Sequence, residues 1–384
     1  MTQWKTAPLG EIITFQRGYD LPQRLRQNGE IPIISSAGVI DYHCKAMVDA
    51  PGVVTGRYGT IGELFFINEP FWPLNTTLFI RDFKGNDPKF IYYLLHQFDF
   101  QSFSGKSGVP GVNRNDLHEE IVSIPSSVVE QRAIAKVLSD VDGLITSLGE
   151  LITKKKDLKQ SAMQELLTGK NRLPEFEGEW RTVELGEIIN HCSSGATPYR
   201  GRSEFYDGDV KWITSGELNY NVIYDTIEHI SHEATIKTNL KIHPVGTFLM
   251  AITGLEAAGT RGACGIVGSP ATTNQSCMAI YPSDELKVEY LYYYYVYRGN
   301  ELAIKYCQGT KQQSYTAKLV KKLPIEIPPT VEEQGAIAAI LSDMDSEIEI
   351  LEQRRNKTLE LKQGVMQELL TGKTRLDNKE IIDV

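Results

Sequence analysis

The chain has no cysteine pair at C-x-x-C spacing. Its five cysteines, Cys44, Cys192, Cys264, Cys277 and Cys307, are scattered, which argues against a disulfide framework or a cysteine zinc site and leaves them to be read as buried thiols. Every long apolar run is broken by charges, so no membrane span and no membrane partner is expected. Met1-Thr2-Gln3-Trp4-Lys5 lacks the basic-then-apolar order of a signal peptide, which points to the cytoplasm. A cationic surplus is missing too: 40 Lys and Arg stand against 49 Asp and Glu, a net charge of −9. That counts against a generic nucleic-acid binder, whose usual footprint is a cationic surplus. Any grip on DNA needs cations gathered on one face or supplied by a partner.

Catalytic signatures are lacking as well. No G-x-G-x-x-G follows a strand. The single Pro-Pro, Pro328-Pro329, leads into Thr330 and not into an amino-methyltransferase motif. Thr-Gly-Lys at 168–170 and 371–373 resembles a phosphate loop, but Gln164 and Gln367 stand where that loop requires glycine. His229-x-x-His232 has helical ligand spacing without a third ligand and reads as a surface pair. No catalytic residue and no metal set is assigned.

What the chain does have is a duplication. Trp4-Lys5-Thr6-Ala7-Pro8-Leu9-Gly10-Glu11-Ile12-Ile13 returns from Trp180 to Ile189, and Glu130 to Leu173 returns as Glu333 to Leu376 with 25 of 44 positions identical. The offset grows from 176 to 203, so 27 extra residues sit inside the second half. Between the matched ends only a skeleton agrees: Ile33-Ile34-Ser35-Ser36 with Trp212-Ile213-Thr214-Ser215, Gly59-x-x-Gly62 with Gly262-x-x-Gly265, and Phe90-Ile91-Tyr92-Tyr93 with Tyr290-Leu291-Tyr292-Tyr293. A preserved part and a varied part suggest one scaffold presenting two different surfaces. A chain of 384 residues can bury a core for each.

The preserved parts are helices. Ser127-x-x-Glu130 and Thr330-x-x-Glu333 have capping-box form, with Pro125, Pro328 and Pro329 just upstream. Ile134, Leu138, Val141, Ile145, Leu148 and Ile152 step by 4 and 3, as do Ile337, Leu341, Met344, Ile348 and Leu351, which is a heptad seam. Gly169 and Gly372 suit the left-handed residue that closes a helix. A helix over 130–167 spans about 57 Å, and antiparallel packing of the two is the simplest arrangement because a globular segment separates them in sequence.

The repeated Glu-Gln-x-Ala-Ile-Ala-x-x-Leu-Ser-Asp-x-Asp at 130–142 and 333–345, with Gln-Glu-Leu-Leu-Thr-Gly-Lys at 164–170 and 367–373, resembles the type I restriction-modification specificity subunit family over nearly the whole chain. The resemblance implies an α+β fold: two mixed α/β target recognition domains, at 1–126 and 173–329, separated by two long helices, at 127–172 and 330–372, packed as an antiparallel coiled coil in a pseudo-twofold repeat, with a tail at 373–384. It implies a non-catalytic subunit of a restriction and DNA adenine methyltransferase complex. Each domain would read one half of a bipartite asymmetric site in double-stranded DNA, while the helices set the spacing and dock two methyltransferase subunits. Two restriction motor-nuclease subunits would join them. S-adenosylmethionine, ATP and Mg would belong to those partners, with no cofactor in this chain. Alternatives are the specificity subunit of a methylation-only complex, or a coiled-coil scaffold protein, which would explain the helices but not the diverged segments before them.

Polar side chains on irregular segments are candidates for base edges and phosphates. They are Arg17, Tyr19, Arg57, Tyr58, Lys106, Ser107, Asn113 and Arg114 in the first domain. In the second they are Thr197, Tyr199, Arg200, Arg202, Thr214, Ser215, Arg261, Lys311, Gln312, Gln313 and Tyr315. For each, a solvated loop residue is the plain alternative. The two-glycine segments read as tight strand connections, and the six tyrosines of 290–297 as a core-facing helix. Lys154-Lys155-Lys156 with Lys159 fits DNA phosphates, an acidic partner or a solvated face. Asn75-Thr76-Thr77 and Asn274-Gln275-Ser276 match a glycosylation sequon that a cytoplasmic chain would not use.

Overall fold

The computed structural model describes residues 3–104, 111–257, 259–309 and 313–376. Two compact units divide the chain: residues 1–150 with 352–384, and residues 151–351. Each therefore combines a globular segment with part of both long helices.

In unit 1 the strands are β1 (Trp4–Pro8), β2 (Thr14–Arg17), β3 (Ile31–Ser35), β4 (Gly38–His43), β5 (Gly52–Gly56), β6 (Leu64–Ile67), β7 (Trp72–Pro73), β8 (Thr77–Asp82) and β9 (Ile121–Pro125), and the helices α1 (Leu9–Ile12), α2 (Pro88–Leu95) and α3 (Arg114–Glu119). A four-stranded sheet runs β2-β8-β5-β6, a three-stranded one β4-β3-β7, and β1 pairs with β9. The β5 sequence Gly-Val-Val-Thr-Gly is buried at every position, as expected of a strand covered on both faces. Asp87 caps α2 by accepting from Phe90 N at 2.9 Å, and Pro88 occupies its first turn. The next helix, α4 (Val128–Leu166), begins in unit 1 and ends in unit 2.

Unit 2 repeats the plan with β10 (Arg181–Glu184), β11 (Ile189–Ser194), β12 (Val210–Ile213), β13 (Asn221–Ile223), β14 (His229–Ile230), β15 (Phe248–Ala251), β16 (Cys264–Val267), β17 (Thr272–Thr273), β18 (Cys277–Pro282) and β19 (Pro324–Ile327), and with α5 (His232–Lys237), α6 (Val288–Tyr306), α7 (Ala317–Lys321) and the start of α8 (Val331–Leu370). The sheets are β11-β18-β15-β16-β13, β14-β12-β17 and the pair β10-β19. The fifth strand, β13, joins β16 in parallel and has no equivalent among the described residues of unit 1. It comes from the stretch where the second half is longer.

The dipeptide that opens each long helix is buried and bonded. In unit 1, Gln131 Oε1 accepts from Asp87 N at 2.9 Å and its Nε2 donates to Pro125 O at 2.9 Å. In unit 2, Gln334 repeats this with Lys287 N at 2.8 Å and Glu285 O at 3.0 Å. The Glu130 carboxylate, 1% exposed, receives Arg375 Nε at 2.7 Å and Nη2 at 2.9 Å, and Trp4 Nε1 at 3.4 Å. The fully buried Glu333 receives Arg172 Nε at 2.9 Å and Nη2 at 2.8 Å. The capping box expected at Thr330 is thus only half formed. Thr330 Oγ1 accepts from Glu333 N at 3.2 Å, but both carboxylate oxygens go to arginine.

Within unit 1, Asp142 pairs with Lys362 at 2.6 Å and Glu130 with Arg375, so the α4 and α8 segments there run antiparallel. Within unit 2, Lys155–Glu347 at 2.5 Å, Lys159–Asp345 and Arg172–Glu333 give the same sense. Lys155 and Lys159 of the lysine cluster are therefore engaged with the other helix. Every residue of the expected seam is buried or half-buried, and Gly169 and Gly372 close the helices at φ of 66° and 73°.

Three sequence expectations need correction. Cys44 is exposed and Cys192 and Cys307 are half-buried, so only Cys264 and Cys277 are buried thiols. His229 lies on β14 while His232 opens α5, so their spacing is not helical, and no group of metal-binding side chains occurs among the described residues. Gly262 is left-handed at φ 75°, but Gly265 lies inside β16, paired with β15 and β13. The structural counterpart of Gly262 is Gly62, at φ 95°, three residues from the sequence match. The tyrosine run is helical and core-facing, with Tyr290, Tyr293, Tyr294 and Tyr295 buried. No described helix is long and apolar enough to cross a membrane.

Burial holds the His243 imidazole in unit 2 down to about 4. One ring nitrogen meets Tyr281 Oη and the other lies 3.3 Å from Thr273 Oγ1. An unfolded imidazole titrates near 6.5, so between those values the unfolded chain holds a proton that the folded one lacks. The stability contribution is complete above pH 6.5 and falls as pH drops towards 4. Imidazole NMR is expected to show His243 neutral down to about pH 4, and a midpoint near 6.5 would exclude this account.

Candidate nucleic-acid interface

In unit 1 the turn Leu74-Asn75-Thr76-Thr77, which leads into β8, collects several candidates. Tyr19 N donates to Pro73 O at 2.8 Å, and Arg57 N and Tyr58 N donate to Thr76 O at 2.8 and 3.1 Å. Val112 N bonds Arg57 O at 3.0 Å, which brings Asn113 and Arg114 alongside. The Arg57 guanidinium lies 4.5 Å from the Tyr58 ring centre. Arg17 ends β2 and is exposed, as are Asn113 and Arg114. Asn113 also caps α3, accepting from Asn115 N at 3.1 Å. Among the described residues no carboxylate pairs with Arg17, Arg57 or Arg114. Lys106 and Ser107 lie outside the described residues.

The matching turn of unit 2, Asn274-Gln275-Ser276-Cys277, collects a second set with Thr273 just before it. Ala196 N bonds Thr273 O at 3.1 Å, Thr197 Oγ1 donates to Gln275 Oε1, and Asn274 N bonds Ile213 O at 2.9 Å beside Thr214. Ile252 N donates to Ser276 O at 2.9 Å, joining the segment that leads to Arg261 and Gln313. Tyr199 is 73% exposed. Arg200 is tied down: it holds Glu228 through Nη1 and, at 2.8 Å, Nη2, and stacks 4.3 Å over Tyr206 and 5.1 Å over Trp212. That pairing keeps the Glu228 carboxyl below the ordinary carboxylate range. Arg202 lies 3.6 Å from Glu204 and 3.9 Å from Glu233.

Thr214 N and Oγ1 both bond Glu217 Oε2 at 2.8 Å, closing a capping box over the half-buried Ser215. Arg261 Nε and Nη2 bond Leu255 O at 2.7 Å and Glu256 O at 2.9 Å. Gln313 is anchored through its backbone to Glu256. Tyr315 is 3% exposed and part of the unit 2 core. It cannot present its ring to DNA in this conformation, because burial won over the polar sequence context. Lys311 and Gln312 lie outside the described residues.

Sequence reasoning passed over Asn75 and Gln275. Asn75 Nδ2 donates to Asp20 Oδ1 at 2.9 Å, and Gln275 is exposed at the tip of its turn. The available signal was their match across the repeat, obscured by the reading of both as sequons.

The arrangement is a pair of unlike polar loop clusters, each carried on the same sheet plan and the same helix contacts. Residues 1–159 and 177–361 both match the family profile described as type I restriction modification DNA specificity domain. The chain belongs to that family and carries its domain twice. Among relatives, the type I restriction enzyme MjaVIII specificity subunit of Methanocaldococcus jannaschii is 27% identical over 83% of this chain and 77% of its own length. The EcoR124I/EcoR124II specificity subunit of Escherichia coli is 24% identical over 72% and 67%. The S subunit crystal structure from M. genitalium aligns at a TM-score of 0.64 with 16% identity, covering 96% of both chains.

Proposed function

We propose that the two segments 1–126 and 173–329 act as target recognition domains, each reading one half of a bipartite, asymmetric site in double-stranded DNA. The observation that carries this reading is the double match to the specificity domain on two halves that keep their helices and differ in their loops. The helices, as an antiparallel coiled coil in a pseudo-twofold repeat, set the half-site spacing and dock the modification subunits. Methylation, nucleotide hydrolysis and their cofactors belong to partner subunits, two for modification and two for restriction, and this chain is non-catalytic.

An apolar groove on the helices supports the docking role. In unit 1 Val137, Leu361, Val365, Leu369 and Leu376 line a 610 Å³ groove. The repeat places Ile340, Leu158, Ala162, Leu166 and Leu173 at the equivalent positions of unit 2, where Leu158 and Ile340 are 48% and 37% exposed. Such surface is costly to leave in water and marks protein contact sites. A partner covering it would also bring cations that an acidic chain lacks.

Base-resolution methylation mapping of cells expressing the chain with its modification subunits is expected to return one split motif with unlike halves. A continuous or palindromic motif would count decisively against two independent readers.

A further inference from the structure

In unit 1, Lys89 extends from the first turn of α2 so that Nζ lies 4.1 Å from the Phe66 ring centre, 4.9 Å from Tyr92 and 5.6 Å from Tyr93. Lys362 approaches the same corner, 5.8 Å from the Tyr93 ring and paired with Asp142, which also accepts from Tyr93 Oη at 2.8 Å. Two lysines thus converge on one aromatic and carboxylate corner.

Unit 2 repeats that corner almost residue for residue. Tyr292 and Tyr293 stand for Tyr92 and Tyr93, and Asp345 for Asp142. Lys159 stands for Lys362, 5.5 Å from the Tyr293 ring and bonded to Asp345. Tyr293 Oη donates to Asp345 at 2.9 Å. The position of Lys89, however, is Glu289, and that of Phe66 is Ile266. The second cation is replaced by a carboxylate. The added strand β13 and its flanks extend the wall: Tyr292 Oη donates to Tyr220 O at 2.7 Å, and Tyr224, 66% exposed, stands at the rim. The result is a 790 Å³ cleft whose charged lining comprises Glu289, Asp345, Glu349 and Lys287.

We propose that this cleft receives a lysine or arginine side chain of the modification subunit, occupying in trans the place that Lys89 fills in cis in the other unit. The inference rests on reading the chain as a subunit of a type I assembly. Tyrosine faces attract a cation, more strongly as it is desolvated, and the carboxylates complement its charge while repelling nucleic-acid phosphate. The contact is one-sided: the equivalent corner of unit 1 already holds its own lysine.

The test has two arms. In the first, the purified chain labelled with 3-fluorotyrosine is titrated with acetyl-arginine amide and followed by 19F NMR, with Tyr224→Phe and Tyr292→Phe assigning the two signals. Both are expected to shift in the wild type and at least tenfold less in Glu289→Lys, whose own side chain reproduces the Lys89 arrangement and should leave thermal stability unchanged. Absence of a shift with this probe and with Nα-acetyl-lysine amide alike, or equal shifts in both proteins, overturns the cleft. In the second arm, Glu289→Lys is expected to bind modification subunits at least tenfold more weakly. Unchanged binding overturns the proposal, whereas a wild-type chain that binds no modification subunit overturns the functional reading beneath it.

Discussion

Arg375→Ala is expected to destabilise unit 1 by roughly 3 kcal/mol. The Glu130 carboxylate is 1% exposed and loses both guanidinium bonds, at 2.7 and 2.9 Å, when the arginine is removed. Breaking a buried pair on one side costs about 3–5 kcal/mol because the remaining charge cannot recover its hydration. Trp4 Nε1, at 3.4 Å from the same carboxylate, keeps part of the compensation, which favours the lower end. For a unit of this size that is a fall in Tm of roughly 6–12 °C. The double variant Glu130→Leu with Arg375→Met is expected to recover most of the loss, since an apolar pair of similar volume carries no desolvation penalty. Thermal unfolding of the three proteins checks both statements, and an Arg375→Ala protein as stable as wild type would show that the pair is solvated.

Removing one heptad from α4 and the facing heptad from α8 is expected to shorten the gap between the two half-sites while leaving the half-site sequences unchanged. Seven residues of helix span about 10 Å, or roughly 3 base pairs. A heptad is the natural unit because it returns the apolar seam to nearly the same face, offset by about 20°. Three base pairs also turn the duplex by about a third of a helical turn, so the variant should methylate its new site more slowly than the parent methylates its own. If mapping of an assembling variant returns the parental gap, the helices are not the ruler.

The helices were legible because their signals are local. Heptad steps at Ile134 and Leu138, prolines before the first turn and Gly169 and Gly372 after the last all report on residues within a few positions. What the Glu-Gln opening does was not legible. Glu130 looks like half of a capping box, whereas its guanidinium partner lies 245 residues away, a distance no spacing rule covers. The loop clusters were partly legible for the same reason. Tyr19, Arg57 and Asn113 are far apart in sequence and meet only through the turn at Asn75. Polarity alone could not separate the exposed Tyr199 from the buried Tyr315, nor reveal that Arg200 is held by Glu228 and stacked on Trp212. Side-chain type indicates what a residue can bind, and the fold decides whether it is already bound.

Unit 2 is one uninterrupted stretch, residues 151–351, whereas unit 1 is assembled from 1–150 and 352–384. During synthesis from the N-terminus, unit 2 can complete its core as soon as its last residue clears the ribosome. Unit 1 is begun first and finished last. Until Arg375 emerges, Glu130 must remain solvated, and Leu369 and Leu370, which belong to the unit 1 core, have not arrived to cover it. The first globular segment therefore waits, partly uncovered, through the translation of some 200 further residues, roughly 10–40 s at about 5–20 residues per second. Apolar surface left uncovered for such an interval is the condition that favours aggregation and chaperone capture.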